Sequence, residues 1–269
     1  MSITMMVLAA ALAHGCAPLP GAEAVMRRTH IRTVMIGEDG HGTNEMPAAA
    51  ADLICAAIAA RRPVTVALEY ARRHQPAIDA YLASDGGDHA REALLAAPLW
   101  DPDWADGKSS QAMLRLIEWL RIRHQAGEVA RIVAFDVDIA KRGGDRDRQM
   151  AKRLSAAAAS PAGIVIALTG SFHARRHDDA QDLAHYTPAA GLLAPASTFA
   201  IVIRGNGGRH WGCRQDGCGV QPVESTGKSR RRLRLTPGQP DYDAVLDLGV
   251  PVTPSPPAKT AATAPSGAA

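Results

Sequence analysis

Aromatic side chains are scarce in this sequence: three Phe, four Trp and four Tyr supply only 4% of 269 residues. Proteins that hold single-stranded nucleic acid stack its bases on aromatic faces, and here the rings are scattered as well as few. Charge of one sign is lacking too, with 30 Lys and Arg against 27 Asp and Glu, a net charge of +3. Much of the basic excess sits in one run, Lys228–Arg234, which reads as a solvated loop and not as a surface that tracks phosphates. Nucleic acid is therefore not an expected partner. No apolar stretch reaches the roughly 18 residues that a membrane-spanning helix needs. There is no P-loop, and Gly205-Asn206-Gly207-Gly208 is too isolated to count as a dinucleotide fingerprint. No Gly-x-Ser-x-Gly elbow occurs, which disfavours a serine-centred α/β-hydrolase mechanism.

What is present suits an ordinary globular chain. Apolar residues make up 46% and charged residues 21%, with alanine about a fifth of the total, enough for one substantial domain. Met5–Ala13 is a short apolar run ending in small residues before Cys16, the pattern of a secretory signal and its cleavage site. Residues 1–22 are read as signal-like, and the protein as exported, to the periplasm or cell envelope. Ala13-His14-Gly15-Cys16 loosely matches a lipoprotein processing box, so a lipid on Cys16 would be the one expected link to a membrane. Cys213 and Cys218 enclose a turn-forming Asp216-Gly217, a spacing that suits a disulfide across a hairpin in an oxidising compartment. Zinc would want four ligands, and His210 offers only a third. Cys55, in an alanine-rich stretch, reads as a small buried hydrophobe.

Five short β-rich runs, Thr33–Ile36, Val64–Leu68, Ile132–Phe135, Ile164–Leu168 and Phe199–Ile203, are almost continuously apolar. Strands buried on both faces read this way. Helical patterns at Pro47–Ala60, Gln111–Gln125 and Arg146–Ala159 alternate with them, which predicts an α/β fold with a mostly parallel central sheet flanked by helices. The expected organisation is a single domain over residues 30–250. It carries an insertion at 84–108, where Trp100 and Trp104 either wall a pocket or pack, and a cysteine-bearing excursion at 204–240. Ala244–Leu248 could add an edge strand, and the Pro-, Ala- and Thr-rich residues 251–269 read as a disordered tail.

Polar residues gather directly after the strands. The first run leads into Gly37-Glu38-Asp39-Gly40-His41-Gly42-Thr43-Asn44-Glu45, the second ends in Glu69, the third leads into Asp136 and Asp138, and the fourth into Gly170 and His173. In a parallel sheet these ends share the carboxyl edge, where open α/β folds bind ligands. Glu38 and His41 could then face one cleft, the carboxylate orienting the imidazole as a general base. Arg146 beside Asp147 could bind a carboxylate or an oxyanion, or simply pair with Asp136. His74, His89, His124, His177 and His185 have polar or helical contexts and are expected at the surface.

These motifs carry a resemblance. Gly-Glu-x-x-His-Gly-x-x-Glu at 37–45, Glu69, the Asp106-Gly107-Lys108-Ser109-Ser110 segment, Arg146-Asp147-x-x-Met150-Ala151 and Gly170-x-x-His173-Ala174 together resemble the erythromycin-esterase-like/ChaN-like superfamily, which includes Tiki-type relatives. The resemblance implies an α/β core with active groups at the carboxyl edge. It implies His41 as the base that activates water, Glu38 and Glu69 as its carboxylate partners and His173 as a second histidine. Where that branch usually has Thr before the histidine, this chain has Gly40.

The leading expectation is thus an esterase-like hydrolase acting on a small-molecule ester or lactone. His41, Glu38, Glu69 and His173 would be catalytic, Glu45, Asp106, Asp136, Asp138 and Arg146 would contact substrate, and no cofactor would be needed. Two alternatives stay open. Glu38, His41, Glu69 and His173 are also an N/O ligand set for a divalent transition metal, and a surface protein could bind haem or another ligand at the same edge.

Overall fold

All five apolar runs are strands of one sheet. The computed structural model describes residues 19–101, 105–137, 145–160, 162–177, 187–215, 217–225, 227 and 230–259. Strands β1 (Thr33–Glu38), β2 (Val64–Ala71), β3 (Val129–Asp136), β4 (Ile164–Gly170) and β5 (Thr198–Arg204) run parallel, joined by β9 (Ala244–Asp247) and an antiparallel edge strand, β8 (Arg232–Leu235). The order is β3-β2-β4-β1-β5-β9-β8. The chain leaves β1 toward one side of the sheet and returns to its other side as β5, so β1 sits at a crossover where ligands bind in such folds.

Both faces of the sheet are covered, which is why the runs lack alternation. Val34, Ile36, Val66, Leu68, Ile166 and Leu168 face one core, and Met35, Ala67, Val165 and Ala167 face the other. Helices α1 (Ala22–Met26), α2 (Glu45–Ala59), α3 (Gln75–Leu82), α4 (Asp88–Ala96) and α5 (Gln111–Gln125) contribute buried residues to the first core. Helix α6 (Arg146–Ala157) and the single turn α7 (Ser171–Ala174) supply the second, through Met150, Leu154 and Ala174. The Ser110 hydroxyl accepts from Met113 N and starts α5 where the periodicity begins.

Several expectations change. Ala244–Asp247 is interior, not an edge, because the arginine-rich run beyond the cysteines supplies β8 outside it. The excursion also carries the hairpin β6 (Gly208–Arg214) and β7 (Gly217–Val223), in which Cys213 and Cys218 face each other and are disulfide-bonded. Cys55 is disulfide-bonded as well and not a free hydrophobe. The insertion forms α4 and a 3₁₀ turn that buries Trp100, so this ring packs; Trp104 lies outside the described residues.

Residues 251–259 are not a loose tail. Ser255 is buried, its N–H donates to Gly42 O at 2.8 Å, and its hydroxyl accepts from Ala112 N at 2.9 Å. Pro is common in such a strap because an extended segment that pairs by isolated bridges needs few N–H donors. Residues 260–269 and residues 1–18 of the signal-like segment 1–22 lie outside the described residues, while Leu19 and Ala22 of that segment are buried in the core. Among the described residues, no helix is long and apolar enough to cross a membrane.

Candidate active site

Glu38 ends β1, and the loop after it turns back so that His41 Nδ1 lies 2.9 Å from Glu38 Oε2. A carboxylate only accepts, so Nδ1 carries the proton and Nε2 is left as the basic nitrogen. Gly42 makes the turn at φ 73°, and a Cβ on it would fall 2.1 Å from Trp211 O, so glycine is required twice over. Glu38 is buried, whereas the His41 side chain is 22% exposed and open to water. At Gly170 a Cβ would lie 3.1 Å from His41 Nε2, so the missing side chain leaves room beside the basic nitrogen.

Glu69 is the hub of the site. Its Oε1 meets Lys108 Nζ at 3.1 Å and Arg146 Nη2 at 2.9 Å. Its Oε2 accepts from Gly170 N at 2.8 Å and from the Thr169 hydroxyl. His41 Nε2 is 3.9 Å from Oε2, an electrostatic neighbour and not a hydrogen bond. Burial alone would raise the Glu69 pKa, but Lys108, His41, His173 and Arg146 outweigh it and hold the carboxyl well below its ordinary value. Burial likewise would lower the His41 pKa, and the Glu38 hydrogen bond with the charges of Glu38 and Glu69 reverses the sign and raises it.

His173, on α7, is buried and does not contact His41 by hydrogen bond. Its Nδ1 donates to Asp147 Oδ1 at 2.8 Å, and the same oxygen accepts from Ala189 N at 2.7 Å. It reaches the hub through charge, acting on Glu69. Arg146 grips Asp136 with Nε at 2.8 Å and Nη2 at 2.6 Å while also binding Glu69. Asp106 accepts from Lys108 N and pairs with its ammonium at 3.2 Å. A cavity of about 210 Å³ opens against this network, lined by Glu69, Tyr70, Asp106, Lys108, Asp136 and Arg146 among others. Of the four residues expected to be catalytic, only Glu69 lines it; His41 and His173 adjoin it through Glu69, and Glu38 through His41.

One expected contact falls elsewhere. Glu45 opens α2 with its carboxylate turned to the C-terminal strap, where it accepts from Thr253 N at 2.8 Å and from the Thr253 hydroxyl at 2.6 Å. It is a tether and not a cleft residue. Asp138 lies outside the described residues. His74 is buried on the cavity wall, not exposed.

Lys108, Tyr70 and Thr169 were not singled out from the sequence. A signal for Lys108 existed: the Asp106-Gly107 turn, with Gly107 at φ 96°, places the lysine directly after a tight bend. Tyr70 and Thr169 looked like ordinary strand residues.

The residues do not fit the proposed metal. Glu38 Oε1 is buried without a hydrogen-bond partner, the one feature that invites a cation. But the Glu69 carboxylate already accepts four hydrogen bonds, its full capacity, and its two cations would repel a third. Among the described residues no group of three or more His, Cys, Asp or Glu is arranged to hold a metal ion. Haem fits no better. Tyr70, on the cavity wall, donates to Lys108 O at 2.8 Å. Burial, and then the charges of Glu38, Asp106 and Glu69, push its pKa well above the ordinary phenol value, away from the phenolate an iron would need.

No protein-family model matches the chain, and no curated protein matches it in sequence. Its fold is shared with solved structures. An erythromycin esterase, the EreC variant in its open conformation, superposes with a TM-score of 0.60 at 12% identity, over 86% of this chain and 92% of that one. A protein from Bacillus cereus gives 0.58 at 11% identity, covering 96% of this chain and 100% of its own. A succinoglycan biosynthesis protein gives 0.56 at 11% identity, covering 95% and 99%. At such identities the likeness is one of fold, and chemistry has to be argued from the site.

Proposed function

We propose that this chain is an esterase-like hydrolase in which His41 activates water for attack on an ester or lactone carbonyl. The observation that carries the reading is the His41 imidazole: Nδ1 held by a buried carboxylate, Nε2 without a hydrogen-bond partner among the described residues, and the ring open to water. Nε2 takes a proton as the water oxygen bonds to the carbonyl carbon, and the carbonyl π pair moves to oxygen. On collapse the carbon–oxygen bond to the leaving group breaks, and the imidazolium returns its proton to the departing alkoxide. Lys108 has three N–H groups and two carboxylate partners, so one remains for the developing oxyanion. Arg146 stands beside it, and Glu69 holds both cations in place. The shared fold of an erythromycin esterase supports the reaction class without specifying the substrate. The Cys213–Cys218 disulfide supports placing the protein outside the reducing cytosol.

The test is hydrolysis of p-nitrophenyl acetate and a panel of lactones by the purified protein and by His41→Ala. General-base assistance is worth about 10²–10⁴-fold, and the variant should lose that much while a chelator changes nothing. A parent that hydrolyses none of them, or a variant that keeps the full rate, overturns the proposal.

A further inference from the structure

We infer that His210, on the disulfide-closed hairpin, is a positioning residue for His41, an assignment that rests on the catalytic reading above. Its Nδ1–H donates to the main-chain carbonyl of His41 at 2.9 Å, across 169 residues of sequence. The ring is half-buried and seated between two glycines. A Cβ on Gly40 would lie 3.4 Å from His210 Nδ1, and one on Gly212 would lie 2.8 Å from Cε1. The seat exists because both positions lack a side chain.

The next residue continues the grip. Trp211 N donates to Gly42 O at 2.8 Å, and its indole Nε1 donates to Ala105 O at 3.0 Å. Ser255 N, from the C-terminal strap, donates to the same Gly42 carbonyl at 2.8 Å. The carbonyls of His41 and Gly42 are thus held by segments remote in sequence, and only two residues separate His41 from Glu38, whose carboxylate it must meet. A backbone shift of a few tenths of an ångström would lengthen the His41–Glu38 bond. A displacement of about 1 Å in a catalytic group can cost about 100-fold in rate.

The experiment separates the hydrogen bond from the packing. His210→Phe fills the seat without a donor; His210→Asn keeps a donor and gives up the ring. Two readouts are taken on the full chain: the His41 titration midpoint by NMR, and kcat and KM with p-nitrophenyl acetate. With His210→Phe, the midpoint should fall toward 6.5 as the Glu38 contact loosens, and kcat should fall about tenfold with KM within about twofold. His210→Asn should match the parent in both. A His210→Phe variant indistinguishable from the parent overturns the inference, and so does a His210→Asn variant that loses as much as His210→Phe. The NMR readout needs no substrate. If the parent hydrolyses nothing, the hydrolase reading fails while the positioning inference is still decided by the midpoint.

Discussion

Two imidazoles at this sheet edge each donate Nδ1 to a carboxylate, at 2.9 Å for His41–Glu38 and 2.8 Å for His173–Asp147. Their surroundings differ. The His41 side chain is 22% exposed and the His173 side chain 9%, and the Asp147 carboxylate is itself fixed by Ala189 N. The first pair belongs to an imidazole partly open to solvent; the second, carried by α6 and α7 themselves, is buried. The same chemical dyad is therefore suited to two different jobs. Exposure suits one to proton transfer, and burial with a fixed carboxylate suits the other to bracing α6 against α7.

The comparison is most sharply broken by exchanging the losses. His41→Ala should remove about 10²–10⁴-fold of activity with little change in unfolding free energy, read by urea titration. Asp147→Ala should show the reverse emphasis. Removing the carboxylate leaves the buried His173 Nδ1–H and Ala189 N–H without their acceptor, at about 1–3 kcal/mol each, so urea or thermal unfolding should show a clear loss of stability. An Asp147→Ala variant as stable as the parent would mean that the buried dyad is not a brace.

A smaller effect is expected from deleting residues 251–269. The strap's hydrogen bonds to Gly42, Asn44, Ser109 and Gln111 are worth about 1 kcal/mol each at most, partly regained from water. A loss of about 1–3 kcal/mol corresponds to a Tm drop of about 3–10 °C in a domain of this size, measured calorimetrically. An unchanged Tm would return these residues to the status of a loose tail.

The smallest effect is a shift in pH dependence. His41 must be neutral to act as a base, and its raised pKa means that activity should climb with pH through a midpoint above 6.5. Glu38→Gln removes the charge that favours the imidazolium, while its amide oxygen can still accept from Nδ1–H, so the midpoint should move down. A pH–rate profile and an NMR titration of the His41 imidazole check it, and an unchanged midpoint would mean that Glu38 does not set the His41 titration.

Much of this was legible before the fold was seen, and the reasons are local. Five continuously apolar runs become the five parallel strands because burial on both faces demands apolar residues at every position. Gln111–Gln125 is a helix over the very residues its periodicity marks. Glu38 and His41 meet because they are three residues apart on a glycine-rich turn at a strand end. Glu69 and Gly170 arrive beside them because parallel strands in register share an edge.

Other features depended on distance along the chain. Asp147 and His173 were both visible as residues, but nothing in their spacing of 26 said that they would pair. Lys108 reaches Glu69 across 39 residues, and His210 reaches His41 across 169. Glu45 belonged to the most specific motif of the sequence and still turned away to hold Thr253. The proline-rich strap had the composition of a disordered tail, yet Val252 and Ser255 are buried under neighbouring loops.

The sequence by itself determined the strands, the main helices and the side on which chemistry-bearing residues collect, because periodicity and strand-end position are properties of neighbouring residues. Which carboxylate serves which imidazole, and which of the two imidazoles water can reach, was decided by the tertiary structure alone, because hydrogen-bond partners and solvent access are set by segments that approach through space.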